Sequence, residues 1–288
     1  MTERWGGVGG PVGASHSGRV SFVGAGPGDP ELITVKGLRR LQHAGVVTHD
    51  RLIPSELLCE VRPDAEVIDV GKAPGRHCVA QATINALIVD RAQAGHRVVR
   101  LKGGDPGVFG RLGEELDAVR AAGVDFEIVP GVTAATAAAA TAGISLTGRG
   151  RASTVVLATA TDHTGAATPT LAWDALAGVD GTLVFYMVAR RLASISSTLL
   201  TRGRDPREPA VVVEAAGTSA ARVICGHLAT IGDLARRATV QPPAILVTGP
   251  TVGPSAMLVA RVEDDAPARD DPAPVPSGAR CATAGAGR

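Results

Sequence analysis

The chain has 288 residues, of which 45% are hydrophobic, 20% charged and only 2% aromatic, and its formal net charge at pH 7 is +1. This composition excludes a disordered or fibrous chain and predicts a globular protein whose core is mostly aliphatic. The nearly balanced charge argues against a broad nucleic-acid-binding face, so no nucleic-acid partner is expected. It leaves room for an anionic small molecule held by a local arginine cluster.

The four cysteines are scattered along the chain and form no Cys-x-x-Cys pair. This spacing favours reduced thiols over a disulfide or a metal site, so we expect no metal. No stretch approaches the roughly 18 uninterrupted apolar residues that span a bilayer. Residues 1–18 are rich in glycine but lack the apolar centre of a signal peptide. These features predict a cytoplasmic protein with no membrane partner.

The N-terminal half alternates short apolar runs with longer amphipathic segments. Strands are predicted at Val20–Val23, Gly45–Thr48, Glu66–Val70, Arg97–Leu101 and Phe126–Val129. Helices are predicted near Thr34–His43, Val79–Ala94, Glu114–Ala122 and, in a run of small residues, Val132–Gly143. In the second helix, Ile84, Leu87 and Ile88 recur at helical spacing and predict one buried face. Such alternation is typical of βαβ units and predicts a largely parallel sheet.

The second half contains further strands and helices. Strands are predicted at Thr154–Ala158, Thr182–Tyr186, Ala210–Val213, Arg222–Cys225 and Ala244–Val247, and helices near Leu171–Leu176, Leu192–Arg202 and Leu228–Arg237. Two consecutive strands around residues 214–221 predict a hairpin and therefore a mixed sheet. We expect two α/β domains, at 19–130 and 153–261, joined by a linking helix and connector at 131–152. Disordered tails are expected at 1–18 and 262–288.

Two glycine-aspartate loops directly follow predicted strands. Gly24–Pro30 reads Gly-Ala-Gly-Pro-Gly-Asp-Pro, and Lys102–Pro106 reads Lys-Gly-Gly-Asp-Pro. Open α/β sheets bind ligands at the carboxyl ends of their strands, and glycine allows a close backbone approach. The two loops together predict two walls of one small-molecule site. For the first loop, a plain turn with no ligand is the alternative.

The first loop also has the beginning of a dinucleotide-binding fingerprint, which would indicate a nicotinamide- or flavin-dependent oxidoreductase. That fingerprint opens a helix directly and places an acid about 20 residues further on. Here Pro27 stiffens the turn, and Asp29-Pro30 blocks immediate entry into a helix. These residues disfavour a pyrophosphate cradle. A nucleotide-binding oxidoreductase is kept as the alternative from a different class of function.

Several motifs, taken in chain order, resemble the signatures of the tetrapyrrole methylases. They are Val23–Thr34, Asp50–Leu52, Val70–Lys72, Arg100–Arg111, Val129–Ala134 and Leu183–Met187. Within that superfamily the Lys-Gly-Gly-Asp-Pro form, with Asp-Arg-Leu and Val-Gly-Lys, is similar to the uroporphyrinogen-III C-methyltransferases. The resemblance covers roughly residues 19–260, nearly everything outside the predicted tails.

The resemblance implies two α/β domains with the active-site cleft between them, assembled as a homodimer. It implies S-adenosyl-L-methionine as methyl donor, S-adenosyl-L-homocysteine as product and a tetrapyrrole as the small-molecule substrate. The implied reaction methylates uroporphyrinogen III at C2 and C7, giving precorrin-2 by way of precorrin-1 for siroheme or cobalamin biosynthesis. A related precorrin methyltransferase acting on a later corrinoid intermediate is the alternative within the superfamily.

The resemblance also implies roles for residues. Asp50 matches the proton acceptor and Lys72 the proton donor; Asp50 could instead cap a loop or pair with Arg51, and Lys72 could anchor a substrate carboxylate. The matching cofactor positions are Pro27, Gly103, Gly104, Asp105, Val108, Thr133, Ala134, Met187, Ala216 and Ala244. For Asp105 the alternative is a turn or helix cap, and for Met187 it is core packing. Because the substrate is rich in carboxylates, arginines beside the matched loops are expected to bind it, namely Arg51, Arg76, Arg111 and Arg149.

The sequence departs from the usual pattern of the superfamily at His49, Gly107, Leu112, Gly148 and Ala216. The aromatic side chain expected at position 107 and the histidine expected at 148 are both absent, which affects expected substrate contacts more than the cofactor site. The sequence also lacks the extra dinucleotide-binding module of the fused siroheme synthases. We therefore expect the reaction to stop at the methylated product.

Overall fold

The computed structural model describes residues 18–71, 80–161 and 170–253. Almost all of the two predicted tails lies outside these ranges, as do the predicted proton donor Lys72 and the predicted substrate ligand Arg76. Among the described residues, no helix is both long and apolar enough to cross a membrane.

The first sheet has five parallel strands in the order β3-β2-β4-β1-β5. The strands are β1 Arg19–Gly24, β2 Val46–His49, β3 Glu66–Asp69, β4 Arg97–Lys102 and β5 Asp125–Val129. The helices are α1 Val35–Gln42, α2 Ser55–Cys59, α3 Gln81–Gln93 and α4 Leu112–Ala121, and a 3₁₀ turn forms at Pro30–Leu32. The predicted parallel sheet is confirmed.

Both faces of this sheet are covered, and β4 shows how. Because side chains alternate across a strand, Val99 and Leu101 pack towards α1 and α2. Val98 packs towards α3 and α4, and its neighbours on that face are the charged residues Arg100 and Lys102. The helix after β1 thus covers one face and the helix after β4 covers the other. Their connections diverge and open a crevice at the carboxyl ends of β1 and β4, where open α/β sheets bind ligands.

The second sheet is mixed, with the order β6-β7-β10-β8-β9. Its strands are β6 Val155–Thr159, β7 Thr182–Tyr186, β8 Pro209–Glu214, β9 Arg222–His227 and β10 Ala244–Thr248, and its helices are α5 Ala134–Thr141, α6 Trp173–Ala177, α7 Leu192–Thr201 and α8 Ile231–Arg237. Strands β6 and β7 are parallel, and the other neighbouring pairs are antiparallel. The predicted hairpin is formed by β8 and β9.

The two faces of the second sheet are covered very differently. Helices α6, α7 and α8 bury one face with large side chains such as Trp173, Leu192 and Ile231. The other face receives α5, whose Ala135 and Ala138 pack on strand residues including Val184. Alanine side chains let this predicted linking helix approach the strands closely. The first turn of α5 is therefore held against the second sheet, directly after the loop that leaves β5.

Candidate active site

The two glycine loops are hydrogen-bonded to each other. The Gly104 N–H donates to the Gly26 carbonyl at 2.7 Å, and the Gly26 N–H donates back at 3.3 Å. The Ala25 N–H donates to the Lys102 carbonyl at 2.8 Å, which extends the pairing of β1 with β4 into the loops. The structure thus brings both predicted loops together at one edge of the first sheet.

The first loop does not form a pyrophosphate cradle. Asp29 caps the short 3₁₀ turn through its side chain, which accepts a hydrogen bond from the Glu31 N–H at 2.8 Å. Helix α1 begins only at Val35, with the Thr34 hydroxyl oxygen accepting from the Gly37 N–H at 3.1 Å. Several residues therefore separate the glycines from the helix N-terminus. This separation agrees with the argument against a dinucleotide-binding fingerprint.

Three backbone segments cross closely behind the loops. A Cβ on Gly131 would lie 2.3 Å from the Gly104 carbonyl oxygen and 2.8 Å from the Gly24 Cα. The Asp105 carboxylate fixes this crossing, since its two oxygens accept from the Gly107 N–H at 2.8 Å and the Gly131 N–H at 3.0 Å. The predicted cofactor residue Asp105 therefore forms the turn that was its alternative role, and it also anchors the loop before α5.

Gly103, in contrast to Gly131, has free space where a side chain would lie. It is exposed, and no heavy atom of the described chain outside its immediate neighbours lies within 4 Å of the position that a Cβ would take. The space where its side chain would lie is therefore open at the carboxyl end of β4. Gly104, beside it, adopts a φ of +67°, a conformation that glycine takes without steric cost. This pair leaves a stretch of backbone accessible to a ligand.

A cavity of about 830 Å³ lies between the two domains. From the first domain it is lined by Pro27, Arg51 and Leu52. The second domain supplies most of the wall, which is largely apolar. Five predicted cofactor residues line the cavity, namely Pro27, Ala134, Met187, Ala216 and Ala244. A largely apolar cavity of this size with a few polar groups is typical of a small-molecule site.

Tyr186 organises the wall beside the loop before α5. Its hydroxyl lies 2.7 Å from the Thr133 hydroxyl and accepts from the Ala135 N–H at 3.2 Å. The Phe109 ring meets the Tyr186 ring edge-on, with centroids 4.8 Å apart. Burial raises the pKa of Tyr186, so its hydroxyl stays protonated at neutral pH. The predicted cofactor residue Val108 packs at the edge of the same apolar cluster.

Backbone strain is concentrated around the cleft. Of the five described non-glycine residues with positive φ, Phe109 and Arg111 lie between the second glycine loop and α4, Met187 lines the cavity and Ala215 precedes the cavity residue Ala216. Met187 has a φ of +57°, is 47% exposed and takes a contact of 3.2 Å from the Thr161 hydroxyl to its sulfur. Strained residues held in place by their surroundings cluster at functional sites. Met187 therefore presents its side chain to the cavity and is not packed in the core.

Of the predicted substrate arginines that the structure describes, one lines the cavity and two do not. Arg51 lines the cavity, but Arg111 and Arg149 are not among the described residues that do. Arg111 is exposed and donates to Glu114 at 2.7 and 2.8 Å. Arg190 and Arg191 line the cavity and were not predicted. The sequence signal for them was their position three and four residues after Met187, at the start of α7.

Asp50 lies at the carboxyl end of β2, next to the cavity residue Arg51. Its side chain is 37% exposed and pairs with Arg100, not with Arg51. Arg100 in turn pairs with Glu115, which also holds Lys102. Sequence reasoning missed these three partners. The available signal was the presence of Arg100 and Lys102 at alternate positions in the buried part of the central strand β4.

The fold and the cleft define a two-domain α/β protein with a small-molecule site at the strand ends of its first domain. The family model of the tetrapyrrole (corrin/porphyrin) methylases matches residues 19–232. The chain belongs to this family.

Sequence relatives and solved structures agree with this assignment. The chain is 45% identical over 235 residues to siroheme synthase 2 of Cronobacter sakazakii, covering 82% of this chain and 50% of that protein. It is 46% identical over 238 residues to a siroheme synthase of Pseudoalteromonas atlantica, covering 83% of this chain and 51% of the relative. The chain therefore spans about half the length of the curated relatives it matches.

Two solved structures share the fold over nearly their whole length. A uroporphyrin-III C-methyl transferase from Thermus thermophilus, complexed with S-adenyl homocysteine, is 41% identical with a TM-score of 0.70, covering 82% of this chain and 99% of that one. The cobalt precorrin-4 methyltransferase CbiF is 32% identical with a TM-score of 0.74, covering 83% of this chain and 97% of that one. The expected two-domain tetrapyrrole-methylase fold is confirmed.

Proposed function

We propose that this chain is an S-adenosylmethionine-dependent C-methyltransferase that methylates uroporphyrinogen III at C2 and C7, giving precorrin-2 by way of precorrin-1. The observation that carries the proposal is the cavity of about 830 Å³ in which five predicted donor positions meet Arg51, beside Asp50. The Thermus thermophilus relative, named as a uroporphyrin-III C-methyl transferase, supports the choice of substrate.

The residues of the cleft fit the methyl donor. Pro27, Met187, Ala216 and Ala244 offer an apolar wall for the nucleoside part, and the adaptable thioether of Met187 suits an irregular ligand surface. The open space at Gly103 lets the polar part of the donor approach the backbone closely. When bound, the donor supplies a methyl group already activated by its sulfonium. No nucleophile from the protein is needed, so the chain contributes alignment and proton transfer.

Methylation of a pyrrole carbon leaves a cationic ring system, and loss of a proton from the macrocycle restores neutrality. We assign Asp50 as the acceptor of that proton, because its carboxylate is 37% exposed and the next residue, Arg51, lines the cavity. Lys72 lies outside the described residues, and its role as proton donor stays a prediction. Gly71, just before it, packs directly on Arg51, since a Cβ there would lie 2.4 Å from the Arg51 amide nitrogen.

The substrate carboxylates are proposed to meet the arginines of the cavity wall. Arg51 approaches from the first domain, and Arg190 and Arg191 approach from the second. Guanidinium groups bind carboxylates in a bidentate manner, which suits a polyanionic tetrapyrrole. Arg76, Arg111 and Arg149 stay predictions. The domain limits, the homodimer, the cytoplasmic location and the delivery of product to siroheme or cobalamin biosynthesis also stay predictions.

The test is a methylation assay with two substrates. The protein is incubated with S-adenosylmethionine and uroporphyrinogen III generated in place, and the mass gain of two methyl groups and the precorrin-2 absorbance are followed. A parallel reaction uses a later corrinoid precursor, because the structural likeness to CbiF favours that second candidate. Methylation of the corrinoid alone would overturn the substrate assignment. Failure to bind S-adenosylhomocysteine in calorimetry would overturn the donor assignment.

A substitution of Asp50 tests its assignment as the proton acceptor. Asp50→Asn keeps the shape of the side chain and should lower turnover about 100-fold or more, the usual range for a general base. The affinity for S-adenosylhomocysteine should stay within about threefold, because Asp50 is not one of the donor positions. Asp64→Asn removes another exposed, arginine-paired carboxylate of the same domain and serves as the control. Equal loss of turnover and affinity in Asp50→Asn would make Asp50 structural.

A further inference from the structure

A line of alternating charges runs from the interior of the first domain to the carboxylate of Asp50. Its inner members are almost completely buried: the side chains of Arg100, Lys102 and Glu115 are 4%, 2% and 1% exposed. Asp50, at the outer end, is the one that reaches solvent. Two anions and two cations alternate, so the set carries no net charge. We call Asp50, Arg100, Lys102 and Glu115 the charge cluster of β4.

Each side-chain nitrogen and oxygen of the three buried members of this charge cluster has at least one hydrogen-bond partner. Glu115 accepts from the Arg100 Nε at 3.0 Å with one oxygen and from the Lys102 Nζ at 2.7 Å with the other. Gln81 of α3 donates to the first of these oxygens at 3.2 Å. The remaining nitrogens of Arg100 donate to the Leu101 carbonyl at 3.2 Å and to the Asp50 carboxylate.

These contacts determine the orientation of the Arg100 guanidinium. Its Nε side is held by Glu115 and its outer nitrogens by Leu101 and Asp50. Rotation of the planar group would leave a buried donor without a partner, which is costly in a low-dielectric interior. The nitrogen that meets Asp50 is therefore fixed by Glu115 on the far side of the same group.

Stability alone does not account for this arrangement. Replacing a buried ion pair with packed apolar residues of similar volume is often neutral or stabilising. Most of the other buried residues on this face of the sheet are apolar, with Val20, Phe22 and Val98 among them. A charged set retained in such surroundings, with its outer end directly before the cavity residue Arg51, indicates a requirement of the site and not of the core.

We propose that Glu115 and Lys102 are positioning residues: they hold Arg100, and Arg100 fixes the Asp50 carboxylate at the edge of the cleft in the orientation for proton transfer. This inference rests on the proposed function, because it explains how Asp50, the proton acceptor assigned there, is held in place. Glu115 does not itself touch the substrate, since its side chain lies on the helix-covered face and is only 1% exposed.

The first test is Glu115→Gln, which keeps the side-chain shape and removes the charge. We expect kcat to fall at least tenfold, while KM for S-adenosylmethionine and the S-adenosylhomocysteine dissociation constant change less than threefold. In an Asp50→Asn background the same change should lower the remaining kcat less than twofold, because the residue it positions is already disabled. Equal effects in both backgrounds, or an unchanged kcat, would overturn the proposal.

A paired variant guards against loss of folding, because Glu115→Gln leaves two buried cations without their shared anion. Lys102→Met with Glu115→Leu removes one charge of each sign and is expected to fold. It should show the same loss of kcat, and wild-type kcat in this variant would contradict the proposal. The control is Glu127→Gln on the opposite face of the sheet, where another nearly buried carboxylate is held by Lys36 and Arg40. An equal loss of kcat there would mean that any destabilisation lowers the rate.

NMR spectroscopy tests the same proposal without any substrate. In protein labelled with ¹³C at the aspartate carboxyl carbons, the Asp50 signal is identified by its absence from Asp50→Asn. This signal should shift in Glu115→Gln and in the paired variant, and it should stay in place in Glu127→Gln. An unmoved signal would overturn the positioning role. A wild-type protein that fails to methylate uroporphyrinogen III would overturn the proposed function instead, and the spectrum would still decide the role of Glu115.

Discussion

At the scale of single residues, the glycines of the cleft meet two different requirements. Gly131 is needed because backbone crosses there: a Cβ would come within 2.3 Å of the Gly104 carbonyl oxygen. Gly103 has open space where a Cβ would lie, as judged from the described chain, so the fold itself does not demand glycine there. The absence of a side chain at Gly131 therefore serves the fold, and at Gly103 we expect it to serve a ligand.

This difference predicts opposite outcomes for two alanine substitutions. Gly131→Ala should destabilise the protein by about 2 kcal/mol or more, because backbone atoms cannot move aside as a side chain can. Gly103→Ala should change stability by less than about 0.5 kcal/mol. It should nevertheless weaken S-adenosylhomocysteine binding at least fivefold by placing a methyl group in the cleft. Urea unfolding and calorimetry measure both quantities, and a Gly103→Ala variant that binds normally would remove Gly103 from the donor site.

The sequence predicted residues of the cleft better than it predicted their partners. The order of the motifs along the chain pointed to Asp50 and Met187. Both residues directly follow strands that can be recognised as apolar runs. The partnership of Arg100 with Glu115 was not readable, because it depends on which face of β4 meets α4. Arg190 was missed for a related reason: the turn after β7 decides whether it faces the cleft, and that turn contains the unusual backbone of Met187.

At the scale of elements, a second charge cluster ties α1 to strands β1 and β5 at one side of the first sheet. Glu127 of β5 accepts from the Ser21 hydroxyl of β1 at 2.9 Å and pairs with Lys36 of α1 at 2.9 Å. Arg40 of α1 and Arg19 also pair with it. Its side chain is 11% exposed, whereas the side chains of its three cationic partners are 42–53% exposed, so water screens part of their attraction. The cluster holds the helix that follows the first glycine loop.

This cluster predicts a pH dependence of stability. The hydrogen bond from Arg40 lowers the pKa of Glu127 to about 2, with Lys36 and Ser21 helping and burial opposing. A carboxylate with a depressed pKa in the folded state contributes its full stability above its unfolded pKa of about 4.5, and that stability is lost as pH falls towards 2. The shift corresponds to roughly 3 kcal/mol at most, and screening by water around the cations lowers the contribution. Urea unfolding should therefore show Glu127→Gln less stable than wild type at pH 7, with a difference that falls to about a quarter at pH 2.5 and is lost below the folded pKa of about 2.

Two further results of that series would contradict the assignment. A stability gap that is equally large at pH 7 and pH 2.5 would mean that the variant acts through packing and not through charge. A gap absent at pH 7 would mean that the cations contribute nothing. Ser21→Ala removes one hydrogen bond to the same carboxylate while leaving its charge, so it should show a smaller gap and the same direction with pH.

Element positions were largely predictable, since each of the ten predicted strands is confirmed within two residues at either end. Apolar runs bounded by glycine or proline gave these strands, and glycine-bearing loops gave the ends of the helices. Helix α2 and the 3₁₀ turn at Pro30–Leu32 were not predicted. Both are too short to show a helical period, and the turn is specified by its Asp29 cap.

At the scale of the whole molecule, the cleft is closed by contacts between the two domains. Pro27 of the first glycine loop packs against the β8–β9 hairpin, where a Cβ on Gly217 would lie 2.6 Å from the Pro27 ring. Behind the cavity, Tyr186 at the end of β7 reaches the loop before α5. The hairpin and the tyrosine thus hold the two walls of the cavity at their present separation. This arrangement could not be read from the sequence, because it depends on how the domains pack.

Tyr186 is the only tyrosine of the chain and gives the sharpest test of that arrangement. Tyr186→Phe keeps the ring but leaves the Ala135 N–H without its acceptor, at a cost of about 1–2 kcal/mol in unfolding free energy. Because Ala134 lines the cavity at the same turn, we also expect S-adenosylhomocysteine affinity to fall about five- to tenfold. Thr182→Val is the matched control: it removes a buried hydroxyl contact of 2.8 Å to Thr251 at the other end of the same strand. The control should lose similar stability without losing affinity, and equal affinity losses in both variants would mean that the tyrosine hydroxyl has no particular role in shaping the cleft.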